Sequence, residues 1–195
     1  RRRRAGNLHA DVSWLNASMI HVWLCIEPEA RFVMTVRSPL DWMDSYARHN
    51  ARLRGLARHW QLLRRVLFGA ELWPHTPADA VLARQKLPSV DGLLSYWAWH
   101  VTSVLAAVPA QRLMIVRTDD LTDSLPKISH FLGWPTGALQ SHDAYRDATT
   151  QASSRAPRVT ELLPREHLAS AVQRHLSTVP WSALGLSDPL DPLRS

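Results

Sequence analysis

Ala30-Arg31-Phe32-Val33-Met34-Thr35-Val36-Arg37-Ser38-Pro39-Leu40-Asp41-Trp42-Met43-Asp44-Ser45-Tyr46 is the stretch on which the reading of this 195-residue chain turns. Phe32 to Val36 is a short run rich in β-branched and apolar residues, which predicts a buried strand ending on Arg37. A helix start follows at once, with Ser38 as N-cap, Pro39 at the first helical position and Asp41 three residues after the cap. A strand that delivers a guanidinium next to a helix N-terminus is a common way of building an anion site. Ser45 lies seven residues after Ser38, roughly 700° of helix rotation, and so returns to the same face about 10 Å further along. A phosphate lying along that face would meet Arg37 and Ser45 together. The plainer alternative is an ordinary strand–helix unit with an arginine at the strand end and a serine in solvent.

This pattern resembles the 3′-phosphate motif of the sulfotransferases that use 3′-phosphoadenosine 5′-phosphosulfate (PAPS). That motif is a strand, an Arg, often a Pro two residues on, and a Ser eight residues after the Arg. The resemblance implies that Arg37 and Ser45 bind the 3′-phosphate, Arg37 as a charge-assisted fork and Ser45 as a hydroxyl donor. A second segment adds to it. Ala98-Trp99-His100-Val101 through Val108-Pro109 reads as a helix, and Arg112 to Arg117 as an apolar strand. Thr118-Asp119-Asp120-Leu121 and the run from Leu125 to Phe131-Leu132-Gly133-Trp134-Pro135 follow. This is similar to the family's last strand, its Glu-Asp-Leu turn and its Phe-Leu-Gly-x-Pro helix end, with Asp119 where Glu is usual. Gly133 has a physical reason of its own, since a glycine just past a helix accepts the left-handed conformation that closes the last turn. The resemblance spans roughly residues 12 to 145. It implies a partial three-layer α/β/α fold of the P-loop type, with a small parallel sheet and a mostly helical remainder.

One part of the family pattern is missing from these residues. Members carry a Gly-rich loop with a Lys and Ser/Thr that grips the 5′-phosphosulfate through a nest of backbone N–H groups. None of the seven glycines here stands in such an arrangement, and only 36 residues precede Arg37. The chain opens on Arg1-Arg2-Arg3-Arg4 without a Met. The expectation is a truncated, inactive form of a sulfotransferase. The relatives' catalytic base, His or Glu, would fall before the Arg37 strand, but His9 and His21 match no motif. His21 is expected to be a packed core residue, and no catalytic residue is assigned. Ser141-His142-Asp143-Ala144-Tyr145-Arg146 matches the relatives' His-x-Asn-like element poorly.

Composition agrees with one globular domain: 46% of residues are hydrophobic and 21% charged. The expected organisation is a disordered basic segment over 1–10, a sulfotransferase-like domain over 11–179 that is incomplete at its N-terminus, and an irregular Pro-rich tail over 180–195. Helices are predicted from Asp11 to Ile26, along a basic helix with an apolar stripe of Leu53, Leu56, Trp60, Leu63 and Leu67, and from Val159 to Leu176. A short helix over Pro77 to Lys86 and a longer one over Asp91 to Val108 are also expected, with residues 136–157 as a loop. Nine tryptophans are read as packing and an apolar acceptor pocket.

The single Cys25 excludes an intrachain disulfide, and the ten histidines show no zinc spacing, so no metal is expected. No apolar run is long enough to cross a membrane, which makes the cytoplasm the default. The net charge of +6 suits anionic ligands. It is concentrated where Arg48, Arg52, Arg54, Arg58, Arg64 and Arg65 occur without an acidic residue between Asp44 and Glu71. Two rival readings use that basicity: a noncatalytic nucleotide- or polyanion-binding module, and a protein of nucleic-acid or membrane surfaces. Under the sulfotransferase reading the donor is PAPS and the partner is a small-molecule or glycan acceptor bearing a hydroxyl or amine.

Overall fold

The computed structural model describes residues 14–52, 58–135, 137–139, 158–187 and 189. Its only sheet among these residues has two parallel strands, β1 (Phe32–Val36) and β2 (Leu113–Arg117). They pair in register from Phe32 with Leu113 to Val36 with Arg117. Met34 and Val36 of β1 are buried while Thr35 between them is exposed, the period-two alternation of a strand covered on one face. Thr118, just past β2, donates its hydroxyl to the Val36 carbonyl at 3.0 Å, tying the carboxyl ends of the two strands together.

Helices supply the rest. A 3₁₀ segment, Trp14–Met19, leads into α1 (Ile20–Ile26), and the crossover from β1 to β2 runs through α2 (Pro39–Arg52), α3 (Arg58–Leu67), α4 (Ala80–Arg84) and α5 (Val90–Ala107). After β2 come α6 (Leu121–Leu132), α7 (Val159–Leu162), α8 (Arg165–Leu176) and α9 (Trp181–Leu184). A parallel pair requires such a crossover, because a hairpin joins only antiparallel strands. The architecture is therefore α/β, mostly helical, with a small parallel sheet.

The centre of the core is α5, whose Val90, Leu93, Leu94, Trp97, Val101 and Val104 are all buried. Helix α8 packs on it with Leu168, Ala171, Val172 and Leu176. A polar latch sits in the same interface: Asp91 of α5 accepts from Arg174 and lies 2.7 Å from His175 Nε2, both on α8. The start of α5 is held twice. Ser89 caps it by accepting the Gly92 N–H at 3.1 Å, and the fully buried Asp79 accepts the Val90 N–H at 3.2 Å. Asp79 also takes the Thr76 N–H at 2.6 Å and the Thr76 hydroxyl at 2.9 Å, so its buried carboxylate is well supplied with donors.

Four expectations are corrected. The single helix over Asp11 to Ile26 is, from residue 14 on, a 3₁₀ segment followed by a short α-helix. His21 is exposed rather than packed, because Ala17 and Ile20 form the buried face. The helix over Val159 to Leu176 is broken at Leu163, which is extended (φ −102°, ψ 145°) as the residue before Pro164 must be. Helix α6 begins at Leu121, a turn before the expected run, and carries Pro126 inside it. Packing against β2 outweighs the hydrogen bond Pro126 cannot make.

Within the expected irregular tail, Trp181–Leu184 forms a helical turn closed by Gly185 at φ 63°. The basic segment 1–10, the leucines Leu53 and Leu56, the side chain of Trp60, the stretch Ser141 to Arg146 and most of the loop over 136–157 lie outside the described residues.

Candidate functional site

The carboxyl ends of parallel strands are where α/β folds gather ligands, since loops and helix N-termini converge there. In this chain that end carries Arg37 after β1, and Arg117, the last residue of β2, followed by Thr118-Asp119. The cap at the head of α2 forms as its residues predict: Ser38 Oγ accepts the Asp41 N–H at 3.2 Å and donates to Asp41 Oδ2 at 2.7 Å. The first helical bond runs from the Trp42 N–H to the Ser38 carbonyl at 2.8 Å. Pro39 has no N–H and that of Asp41 is capped, which leaves Leu40 as the one donor of that turn without a partner among the described residues. The helix terminus therefore offers a single free N–H in its first turn.

A cavity of about 250 Å³ opens here, lined by Arg37, Asp41, Asp44, Arg48, Asp119 and Arg158. Arg37 is 31% exposed and reaches Asp119 Oδ1 with Nη2 at 3.4 Å. Asp119 is 59% exposed and lies 3.8 Å from Arg117 as well. An exposed pair at such a separation is worth about 0–1 kcal/mol, so a phosphate can displace it. Asp44 differs in kind: buried at 3% exposure, it accepts the Thr160 N–H at 3.1 Å and the Thr160 hydroxyl at 3.0 Å. Arg48 and Arg158 make no ion pair or hydrogen bond through their side chains among the described residues.

Arg37 thus opens into the cavity. Ser45 is half-buried on α2, about 40° around the helix from Asp41, on the flank of the row Asp41, Asp44 and Arg48 and outside the cavity wall. The structure brings Arg48, Arg158 and Asp119 to the same place, none of which the sequence reading singled out as a ligand. Arg48 carried a usable signal, since it stands seven residues after Asp41 and so on the same helical face. Arg158 carried none, because only the fold of the C-terminal segment against α2 brings it here.

The next face of α2 is aromatic. Trp42 and Tyr46 join Phe68, Tyr96, Trp99 and His100 in one cluster, with Trp42 stacked on Tyr96 at 6.1 Å and Phe68 packed on Tyr96 at 4.9 Å. Burial, with Tyr46 beside it, pushes the Tyr96 phenol up to about 12, and burial likewise raises Tyr46. Burial pushes His100 below its ordinary value, so it is neutral at physiological pH. Arg64 of the basic helix bonds the Tyr46 hydroxyl at 2.9 Å and the Lys86 carbonyl at 3.2 Å, and Arg65 pairs with Glu71 at 3.7 Å. Arg64 and Arg65 are therefore not free cations. Among the described residues no group of three or more His, Cys, Asp or Glu is arranged to hold a metal, and no helix is long and apolar enough to cross a membrane.

No curated protein and no solved structure matches the chain. A family model described as a sulfotransferase domain matches residues 6–141, a span that takes in β1, the capped start of α2, β2 and α6. With well over half of its length matched, and with a strand-end arginine opening on a polar cavity at the head of a capped helix, this chain belongs to the sulfotransferase family.

Proposed function

We propose that the chain takes part in transferring a sulfuryl group from PAPS to a hydroxyl or amine acceptor, with Arg37 binding the donor's 3′-phosphate and Ser45 flanking it. The observation that carries this reading is Arg37 itself, at the carboxyl end of β1, opening into a cavity whose other cations have no ion partners among the described residues. The fit to a phosphate is chemical. A guanidinium fork matches phosphate oxygens in geometry and charge, and the weak Asp119 contact gives way to a dianion. Sulfuryl transfer is an in-line displacement: the acceptor oxygen or nitrogen bonds to sulfur as the sulfur–phosphate oxygen bond breaks, and a base takes the acceptor's proton. Arg37 anchors the donor for that step and does not itself touch sulfur.

Titration calorimetry with 3′-phosphoadenosine 5′-phosphate and with adenosine 5′-phosphate tests the reading. Arg37→Ala is expected to weaken the first about tenfold or more, because a charge-assisted phosphate contact is worth about 1.5–3 kcal/mol. The second lacks the 3′-phosphate and is expected to change little. Equal losses for both nucleotides would show that Arg37 does not read that group.

The same reading makes these 195 residues, on their own, a binder without transfer activity, since they contain no Gly-rich nest for the 5′-phosphosulfate. Losing a single donor of that kind costs about 10²–10³ in rate. Labelled PAPS offered with a panel of phenol, carbohydrate, lipid and amine acceptors is expected to give no product above background. Clear turnover would sink this part of the proposal.

A further inference from the structure

We propose that Arg158 is a second cation for the phosphate dianion of the Arg37 cavity, and that Asp44 is the positioning residue that puts it there; this rests on the phosphate reading given above. Asp44 lies on α2 with 3% of its surface exposed, and a carboxylate so buried is costly unless donors meet it. Its two donors are the N–H and hydroxyl of Thr160, at 3.1 and 3.0 Å. Thr160 belongs to α7, a helix of only four residues that has little stability of its own and packs on α2. Two residues before Thr160 stands Arg158, whose own N–H is held by Glu161 Oε2 at 3.3 Å. The backbone at Arg158 is thus held at its own N–H and, two residues on, at Thr160, while its side chain lines the cavity with no partner among the described residues.

Hydrogen-bond capacity points the same way. The cavity wall has three arginines and three aspartates, and the aspartates have donors of their own: Asp44 from Thr160, Asp41 from Ser38, and Asp119 from Arg37 and Arg117. The guanidinium groups of the wall with every N–H still unpaired among the described residues are those of Arg48 and Arg158. A phosphate monoester, with two charges and three terminal oxygens, is the chemistry that Arg37 and a second facing guanidinium would hold together.

The test uses the full 195-residue chain and three probes: 3′-phosphoadenosine 5′-phosphate, adenosine 5′-phosphate and inorganic phosphate. Arg158→Ala is expected to weaken the bisphosphate about tenfold and leave adenosine 5′-phosphate nearly unchanged. Asp44→Ala is expected to give the same selective loss, and the double variant to bind no more weakly than Asp44→Ala alone. Asp44→Asn, which keeps an acceptor oxygen for the Thr160 N–H, is expected to recover much of the selectivity. Thr160→Ala removes one of the two contacts without burying an unpaired charge, and a loss of a few-fold is expected.

Losses that multiply in the double variant, or an Asp44 variant that weakens both nucleotides alike, would show that Asp44 has only a structural role. Arg158→Ala binding as tightly as wild type would overturn the inference and leave Arg37 as the sole anchor. If Arg37→Ala is silent but Arg158→Ala still weakens inorganic phosphate, the nucleotide reading fails and the second cation stands. Wild type that binds neither nucleotide nor phosphate removes both.

Discussion

At Gly92 the α5 backbone passes so close to the turn after α3 that a β-carbon would lie 2.5 Å from the Phe68 carbonyl oxygen and 3.2 Å from Ser89 Oγ. The first of these is backbone and cannot swing aside. Helix propensity alone says that alanine at a helical glycine gains about 1 kcal/mol. Here the steric term wins, and Gly92→Ala is expected to destabilise the protein by about 1–3 kcal/mol, as overpacked sites do. Chemical denaturation would measure it, and a rise in stability would refute the close approach.

Other single residues repeat the lesson that neighbours decide a role. Arg112 donates to the carbonyls of Ala30 and Glu27 at 2.8 and 3.2 Å, Arg31 donates to that of Phe131, and Arg64 to that of Lys86. These three are structural donors. Arg37, Arg48 and Arg158, identical in type, instead line the cavity, Arg37 in a weak contact with Asp119 and the other two without side-chain partners among the described residues.

Among the elements, α2 is the one whose limits its residues announce. Ser38, Pro39 and Asp41 mark its start, and the Ser38 Oγ contacts with Asp41 realise the cap. Ser38→Ala is expected to cost about 1 kcal/mol of stability, within the usual range for a lost N-cap. It should also weaken 3′-phosphate binding modestly, because it frees the Asp41 carboxylate at the mouth of the cavity. Thermal unfolding reads the first and nucleotide titration the second; no change in either would mean that the cap is dispensable.

The end of α6 was equally legible. Gly133 adopts φ 72°, and the Trp134 N–H closes back on the Ser129 carbonyl at 2.8 Å. Its beginning was not, since Pro126 reads locally as a first-turn residue and only the contact with β2 carries the helix a turn earlier. Pro164 was the missed signal at the other end of the chain: apolar periodicity runs straight through it, but the constraint on Leu163 ends α7 there.

For the molecule as a whole, the aromatic cluster and the core on α5 make stability sensitive to the protonation of His100. Its folded value lies below the ordinary 6.5 because burial disfavours the charged ring. As pH falls through that range the unfolded chain takes up a proton that the folded chain resists, so the folded state loses ground. The stability of wild type is therefore complete on this account above pH 6.5 and declines from there down to the folded-state value. His100→Phe is expected to flatten that part of the curve. Tm measured from pH 7.5 to pH 5 in the two proteins, on the order of a few buffers across the window, gives the comparison. Parallel curves would show that His100 does not carry the effect.

The apolar surface is also a whole-molecule property. Met19, Val22 and Ile26 remain exposed along the 3₁₀ segment and α1.

Local chemistry determined β1, the cap and start of α2, β2, the span of α5, the glycine stop of α6 and the candidate role of Arg37. All of these are written in neighbouring residues: β-branched runs, a capping serine, a proline at the first turn and a left-handed glycine act over a few bonds. The tertiary structure alone decided that β1 and β2 lie side by side, that Arg158 and Asp119 share a cavity with Arg37, that Asp44 is a buried latch, and that Ser45 stands at the flank. Those outcomes depend on segments far apart in the chain, whose meeting is set by how the helices bury their apolar faces. No residue-by-residue periodicity encodes that meeting.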